Sequence, residues 1–404
     1  MKIILDIESV RYPLTGIGRY TLTLARELVK PSRGHHVQLL ASPFDKPIET
    51  PDELEHYVNK RLVQQGAVTL KKSNYASSWR SFLVVGFIEQ IMLRVRGILR
   101  YLYYKYKKWW FIGLLKKSGE FVFHGPNYHL APKIEKSVVT LHDLSVLRHP
   151  EHHPKDRTDF WTTEIYNVAK RATHIITVSE FQKAEIIELL DVPSERVSVV
   201  YLGAEPTFRP YSITECGDVL EKYNLGYKQY SLVVATIEPR KNVIRLMQAL
   251  QAIPESIRRE YPLAIVGDKG WGSDAIHDMI SELENKNQVV RLGYVSEDDL
   301  PRLYASARVF LYPSIYEGFG LPVLEAMSCG VPVLTSNCTS LPEVAGEACL
   351  LVDPYSVDEI AEGWQKLLID ESFQKDLSDA GIQQAKQFSW QRCAEQTIDV
   401  YKAL

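Results

Sequence analysis

The sequence predicts an α/β protein of two domains, each built on a mainly parallel sheet. The chain has 404 residues, which is more than one hydrophobic core usually serves. Short β-branched runs alternate with helical patterns over most of its length, as in parallel sheets with crossover helices. Between two such series, the stretch from Gly203 to about Leu225 has turn-forming residues and no sustained periodicity, which is typical of an interdomain linker.

Six strands are predicted in each half of the chain. Those of the first half are Lys2–Ile7, Val37–Ala41, Phe121–Phe123, Val138–Leu141, His174–Val178 and Val197–Tyr201. Those of the second are Ser231–Ala235, Leu263–Val266, Val289–Leu292, Val309–Tyr312, Val331–Thr335 and Cys349–Val352. We therefore expect domains at residues 1–209 and 210–385. Residues 386–404 are predicted to form a terminal helix with Ser389 as its N-cap.

Composition and charge exclude several classes of protein. The net charge is −3, so no overall field favours nucleic acid as a partner. The 5 cysteines are scattered, with no C-x-x-C pair, which argues against a disulfide framework or a zinc site and for a reducing compartment. The N-terminus reaches Asp6 without a long apolar run, so we interpret it as a strand and expect a cytoplasmic protein.

Residues Lys71–Lys117 interrupt the α/β alternation. Lys, Arg, Trp and Tyr are frequent in this basic aromatic segment, and Glu89 is its single acid. Such a composition is typical of an anchor at an anionic membrane surface, on the inner face of the cytoplasmic membrane. The apolar run Phe82–Leu93 is too short to span a bilayer. The alternative is a pair of amphipathic helices that pack on the N-terminal sheet and expose a basic face.

The most informative stretch predicts a strand, a glycine-rich loop and a helix. The strand ends at Pro313, Pro322 suits the first turn of a helix, and Gly330 stops that helix. Gly318 and Gly320 allow a ligand to approach the backbone, and the free N–H groups of a helix start favour phosphate. The pattern therefore predicts a site for a pyrophosphate that links a sugar to a nucleoside.

Two carboxylates frame this loop. Glu317 stands on the loop and Glu325 lies about one turn into the helix, where they can accept hydrogen bonds from hydroxyls at opposite ends of one ligand. Sugar and ribose hydroxyls fit this description. The alternative for each residue alone is structural: Glu325 would cap a turn, and Glu317 would be a solvated loop acid.

The spelling Glu-Gly-Phe-Gly-Leu-Pro-Val-Leu-Glu from Glu317 to Glu325 resembles the E-x7-E motif of the retaining glycosyltransferases of family 4. Further matches are Thr15–Tyr20, His142-Asp143, Val178–Glu180 and Glu238–Asn242. The resemblance implies the GT-B fold: two facing Rossmann-like domains, with the C-terminal helix crossing back to the N-terminal domain. It also implies that residues 1–209 bind the acceptor and residues 210–385 the donor.

The resemblance implies roles for individual residues. Glu317, Arg240, Lys241 and His142 are the implied catalytic residues; Arg240 and Lys241 would neutralise the diphosphate, and His142 would face the donor sugar. The implied donor-binding residues are Gly16, Gly318, Phe319, Gly320, Leu321 and Glu325, and Asp143 lies on the acceptor side. Gly16 does not belong to a dinucleotide fingerprint, because position 21 is Thr where G-x-G-x-x-G requires glycine.

Retention of anomeric configuration can arise by double displacement through a carboxylate or by front-face attack, and the resemblance favours front-face attack. No Asp-x-Asp cluster stands near the predicted site, so we expect no metal and no cofactor. The overall sequence is most similar to those of bacterial mannosyltransferases of polysaccharide or lipopolysaccharide synthesis. This resemblance implies GDP-mannose as donor and a glycan or lipid-linked glycan as acceptor. A UDP- or dTDP-linked hexose is the alternative donor. The alternative functions are a nucleotide-sugar epimerase of the same fold and a catalytically silent nucleotide-sugar-binding partner in glycan assembly.

Overall fold

The computed structural model describes residues 1–11, 14, 16–41, 46–61, 119–130, 134–270 and 274–404. The basic aromatic segment Lys71–Lys117 lies outside these residues. By their internal contacts, the described residues form two compact units. The first unit consists of Met1–Leu141, Asn167–Ile176 and Thr397–Leu404, and the second of His142–Tyr166 and Thr177–Gln396. The predicted boundary near residue 210 stays a prediction.

The first half of the chain forms a six-stranded sheet in the order β2-β1-β3-β4-β5-β6. Strand β1, next to the edge strand β2, pairs in parallel with both β2 and β3. The hydrophobic side chains of β1 are fully buried, as expected for a parallel sheet covered on both faces. The strand bounds are β1 Lys2–Asp6, β2 His36–Leu40, β3 Val122–Gly125, β4 Ser137–Leu141, β5 His174–Thr177 and β6 Val197–Val199.

The second half forms another six-stranded sheet, in the order β12-β11-β10-β7-β8-β9, and all its neighbouring strands pair in parallel. The bounds are β7 Ser231–Val234, β8 Leu263–Val266, β9 Val289–Gly293, β10 Val309–Tyr312, β11 Val333–Ser336 and β12 Leu350–Val352. Each predicted strand is therefore present, with ends displaced by two residues at most, and the predicted α/β class is confirmed.

Helices connect the strands in both halves. Those that precede the second sheet are α1 Gly16–Leu28, α2 Ser145–Arg148, α3 Lys155–Arg171, α4 Glu180–Leu190 and α5 Ile213–Tyr223, and residues 51–61 are also helical. Those that follow are α6 Val243–Ala252, α7 Glu255–Glu260, α8 Asp274–Asn285, α9 Leu300–Ser306, α10 Leu321–Ser328, α11 Leu341–Ala345, α12 Val357–Ile369, α13 Glu371–Ala385 and α14 Trp390–Lys402.

The strand order of the second sheet places two loops side by side. Strand β7 lies between β10 and β8, so the chain runs outward from β7 in one direction and returns on its other side at β10. In open α/β sheets, ligands bind beyond the carboxyl ends of the strands at this reversal of strand order. The loops that follow β7 and β10 carry the Glu238–Asn242 and Glu317–Glu325 motifs.

The stretch predicted as a linker contains a helix that the sequence pattern did not indicate. Helix α5 begins after Ser212, whose side chain forms a capping box with Glu215. Cys216, Val219 and Leu220 are buried on one face of α5. The apolar face is short and the preceding residues are turn formers, so the periodicity did not stand out in the sequence.

The terminal helix α14 confirms the prediction at both of its ends. The Ser389 hydroxyl accepts a hydrogen bond from the backbone N–H of Arg392 at 3.2 Å, as an N-cap residue does. Its last residues belong to the first unit, where the Tyr401 hydroxyl lies 2.6 Å from Nδ1 of the buried His124. Among the residues that the structure describes, no helix has the length and apolar character needed to cross a membrane.

Candidate active site

The loop after β7 is fixed against the end of β10. Residues Pro239–Lys241 form one turn of 3-10 helix, which ends at Asn242 in a left-handed conformation with φ of 60°. The buried Asn242 amide donates to the carbonyl oxygen of Pro313 at 2.9 Å and to that of Pro354 at 2.6 Å. This turn therefore directs the side chains of Arg240 and Lys241 toward the loop that follows β10.

Glu317 lies at the centre of the candidate site with 7% of its surface exposed. One carboxylate oxygen accepts from Nζ of Lys241 at 2.5 Å and from the Ser314 hydroxyl at 2.6 Å. The other accepts from the guanidinium of Arg240 at 3.0 Å. Both oxygens are thus held by charged or hydroxyl donors, which fixes the position of the carboxylate.

The charges of this cluster balance. Arg240 also donates to Glu238 at 2.8 Å, so two buried carboxylates stand against two cations whose side chains are 14% and 12% exposed. Burial raises the pKa of Glu317, but Lys241 and Arg240 outweigh burial and lower it from 4.5 to about 2. Glu317 is therefore an anion at neutral pH and acts as a hydrogen-bond acceptor.

The net pKa shifts of the two cations have opposite directions. Burial lowers the pKa of Arg240, but Glu317, Asp143 and Glu238 outweigh it and raise that pKa above its usual value. Burial and the neighbouring Arg240 lower the pKa of Lys241, against the attraction of Glu317. Lys241 also donates to the Tyr312 hydroxyl at 2.6 Å. The site thus holds two cations in direct contact with an ionised carboxylate.

The glycine loop is packed so closely that side chains are excluded. A Cβ atom on Gly318 would lie 1.9 Å from the carbonyl oxygen of His142, and one on Gly320 would lie 2.7 Å from Leu341. Gly320 also has φ of 109°, a conformation that favours glycine. The Ser179 hydroxyl donates to the Gly318 carbonyl oxygen at 2.7 Å. Helix α4 and the residues after β4 therefore both support the loop.

The same loop presents unused hydrogen-bond donors. Within the described part of the chain, no acceptor binds the backbone N–H groups of Gly318, Phe319, Gly320 or Leu321. These groups stand at the start of α10, whose Pro322 has no N–H to satisfy. Successive free N–H groups at a helix start attract phosphate and other anions.

Glu325 belongs to a second cluster on α10. It is 7% exposed and accepts a hydrogen bond from the Tyr304 hydroxyl at 3.0 Å. Burial and the neighbouring Glu325 raise the pKa of Tyr304 well above its usual value, so this phenol stays a donor. The contact holds Glu325 in a defined orientation.

The remaining predicted residues lie in different places. His142 and Asp143 follow β4 in the second unit; His142 is 9% exposed, and the Asp143 carboxylate accepts from the N–H and the hydroxyl of Ser145. The aromatic ring of Phe319 packs edge-on against Phe388, with centroids 5.7 Å apart. Gly16 begins α1 in the first unit. The structure therefore brings Glu317, Arg240 and Lys241 into direct contact, with the backbone of His142 against their loop.

Several residues of the site were missed in the sequence. Glu238, Tyr312 and Ser314 hold Arg240, Lys241 and Glu317 respectively. Glu238 stands in the same short motif as Arg240, and Ser314 lies three residues before Glu317, so both had a local signal. The ligand-type side chains His149, Glu151 and His152 also lie together, with atoms within 4.8 Å of one another. The expectation that no metal is required stays a prediction.

Comparisons with known proteins agree along the whole chain. Residues 221–384 match the family model described as glycosyl transferases group 1, and residues 14–208 match that of glycosyltransferase family 4. The chain is 40% identical over 404 residues to the Escherichia coli protein named O-antigen chain mannosyltransferase B, with 100% of both chains covered. It is 32% identical to the E. coli serotype-specific mannosyltransferase WbdA, over 70% of this chain and 36% of that one.

Solved structures show the same fold at low sequence identity. Sucrose-phosphate synthase from Thermosynechococcus elongatus superimposes with a TM-score of 0.69 at 19% identity, covering 100% of this chain and 98% of that chain. Anabaena HepE, solved in complex with UDP-glucose, superimposes with a TM-score of 0.69 at 18% identity and covers 100% of each chain.

Proposed function

Because this chain belongs to the family 4 glycosyltransferases and has their GT-B fold, we propose that it transfers mannose from GDP-mannose to a growing cell-surface polysaccharide, with retention of anomeric configuration. The observation that carries the proposal is the buried Glu317, held by Arg240 and Lys241 beside free N–H groups. The mannosyl assignment is supported by the relative that is 40% identical over the full chain and is named for O-antigen mannosyl transfer.

The site suits a sugar diphosphate. Cleavage of a sugar–phosphate bond builds negative charge on the leaving phosphate, and fixed cations and N–H groups stabilise that charge. Arg240 and Lys241 supply the cations, and the N–H groups from Gly318 to Leu321 supply the donors. Glu325 holds the ribose, and Gly16 contacts the diphosphate. A nucleotide-sugar donor is supported by the UDP-glucose bound to the structural neighbour HepE.

Glu317 is better suited to hold the sugar than to attack it. Its two oxygens are bound by two cations and a hydroxyl, and its low pKa makes it a weak nucleophile and no acid at neutral pH. These properties favour front-face attack, in which the leaving phosphate takes the acceptor proton. In this mechanism His142 faces the donor sugar and Asp143 lies on the acceptor side.

The acceptor is a glycan or a lipid-linked glycan, and we assign its binding to residues 1–209 and donor binding to residues 210–385. A lipid-linked acceptor would be presented at the inner face of the cytoplasmic membrane. The composition of the basic aromatic segment Lys71–Lys117 supports a peripheral location there.

Transfer assays with the purified full chain test the proposal. The protein is incubated with labelled GDP-mannose, UDP-hexoses or dTDP-hexoses and a lipid-linked mannan acceptor, and the product's anomeric configuration is read by NMR. We expect α-linked mannose on the acceptor from GDP-mannose alone. An altered free sugar nucleotide would instead identify an epimerase, and binding without turnover would identify a silent partner. A β-linked product from the α-linked donor would contradict retention.

A further inference from the structure

The residue before Glu317, Tyr316, has a hydroxyl that joins three segments of the second unit. Tyr316 is 2% exposed. Its hydroxyl donates to the buried carboxylate of Glu185 on α4. It accepts from the Gln182 side chain at 2.7 Å and from the backbone N–H of Leu144 at 3.2 Å. A hydroxyl has one donor and two acceptor sites, so the three contacts use its full capacity.

The backbone of Tyr316 belongs to the candidate active site. Its carbonyl oxygen accepts from the Arg240 guanidinium at 2.8 Å, and the next residue is Glu317. The Leu144 N–H that its hydroxyl binds directly follows His142 and Asp143. Tyr316 therefore holds Arg240, the cation that faces the leaving phosphate, through its carbonyl oxygen. Through its hydroxyl it holds the segment that carries His142 and Asp143.

The surroundings keep this hydroxyl in place. The ring of Tyr316 packs edge-on against His149 and Phe181, with centroids 5.3 and 5.9 Å away. Glu185 is fixed from its other side by Arg148, whose Nε donates to it at 2.7 Å. Burial, together with the carboxylates of Asp143 and Glu185, raises the pKa of Tyr316 well above its usual value. The phenol is thus protonated at neutral pH and can donate its hydrogen bond to Glu185.

We propose that Tyr316 is a positioning residue for the transfer reaction, which sets the His142–Asp143 segment against Glu317 and Arg240 through its hydroxyl and Glu185. This inference rests on the proposed function. Donor contacts from Arg240, Lys241 and the loop N–H groups do not pass through the hydroxyl. Its loss therefore acts on the geometry of the reacting groups, where small displacements cost up to about a hundredfold in rate.

The test compares two buried tyrosines. Tyr316→Phe is expected to lower kcat by about tenfold or more, while KM for the donor changes less than about threefold. Tyr230→Phe is the control: Tyr230 is 0% exposed, and its hydroxyl donates to the Leu303 carbonyl and contacts neither Glu185 nor Leu144. The control is expected to lose a similar amount of thermal stability and to keep the wild-type kcat.

Variants of Glu185 provide a second measurement. Glu185→Gln keeps an acceptor for the Tyr316 hydroxyl and should retain kcat within about threefold. Glu185→Leu removes this acceptor, so its kcat should fall as much as that of Tyr316→Phe. In the double variant Tyr316→Phe/Glu185→Leu, the loss should not exceed that of either single change, because both break one connection. If Tyr316→Phe does not fold, the kcat values of Glu185→Gln and Glu185→Leu test the positioning role instead.

The outcomes separate the two proposals. A wild type that transfers sugar, together with Tyr316→Phe or Glu185→Leu at wild-type kcat, overturns the positioning role alone. Additive losses in the double variant overturn it as well. A wild type that transfers no sugar from any donor overturns the proposed function, and the positioning role falls with it.

Discussion

At the residue scale, Glu317 illustrates how a buried charge can serve a ligand. Glu317 has 7% of its surface exposed and, together with Glu238, balances Arg240 and Lys241. Removing one partner of such a buried ion pair leaves an uncompensated charge in the interior. An arriving diphosphate would share the two cations, which leaves the oxygens of Glu317 able to accept from sugar hydroxyls.

We predict that Glu317→Ala and the double change Arg240→Ala/Lys241→Ala each lower transfer at least about tenfold, or about 1.4 kcal/mol of transition-state stabilisation. Each change removes a contact that strengthens as the leaving group departs. The measurement is kcat/KM for GDP-mannose, with circular dichroism to establish folding. The exposed Glu347→Ala is the control. Near-normal turnover in folded variants would remove these residues from the site.

Replacing Tyr304 is predicted to change the affinity for the donor and to leave the rate of transfer nearly unchanged. Tyr304→Phe keeps the ring, which lies 5.1 Å from that of Phe310, and removes the hydroxyl that orients Glu325. Because the proposed ribose contact is the same in the ground and transition states, we expect donor Kd to rise about threefold to tenfold with little change in kcat. Calorimetric titration with GDP-mannose measures this. An unchanged Kd in both Tyr304→Phe and Glu325→Ala would exclude the ribose role.

At the scale of elements, the loop before α10 depends on glycine at Gly318. A Cβ there would lie 1.9 Å from the His142 carbonyl oxygen, whereas one on Gly217 in α5 meets nothing within 4 Å. We predict that Gly318→Ala lowers the free energy of unfolding by about 1–3 kcal/mol and abolishes most transfer. Gly217→Ala should be neutral or stabilising by up to about 1 kcal/mol. Thermal unfolding of both variants is the test; equal stability of the two would contradict the close packing.

The elements also show what the sequence can and cannot predict. Strands such as Leu263–Val266 were predictable because short buried strands are continuous apolar runs. The Glu317–Glu325 motif was predictable because its residues are close in sequence. The contacts of Tyr316 with Glu185 and Leu144 join residues 131 and 172 positions apart, so no local pattern in the sequence predicts these contacts. The same holds for Ser179 and the Gly318 carbonyl oxygen.

At the scale of the whole molecule, the low pKa of Glu317 connects the site to acid stability. Its pKa falls from 4.5 to about 2 on folding, so the unfolded chain binds the proton more readily between these values. The stabilisation is complete above about pH 4.5, amounts to on the order of 3 kcal/mol, and is lost as the pH falls toward about 2. Urea unfolding of wild type and Glu317→Gln from pH 7 to 3 should show a steeper loss in the wild type. Parallel curves would contradict the assignment.

The basic aromatic segment Lys71–Lys117 gives a prediction about location. Each basic residue near an anionic membrane contributes about 1 kcal/mol to binding, and salt screens this attraction over a Debye length of about 8 Å. We expect the protein to co-sediment with anionic vesicles, to detach at high salt, and to bind less well when Lys105, Lys107 and Lys108 are changed to Glu. Equal binding to neutral and anionic vesicles, or none to either, would favour amphipathic helices on the N-terminal sheet.

The return of helix α14 to the first unit bears on how the protein is made. Residues 397–404 are synthesised after the whole of the second unit, yet they place Tyr401 against His124 in the interior of the first. When the strands of the first sheet have been synthesised, the His124 imidazole therefore still lacks its contact with the Tyr401 hydroxyl. The first unit reaches its final set of contacts only after residues 397–404 have been synthesised, so its most stable state forms late although its first strand is made early.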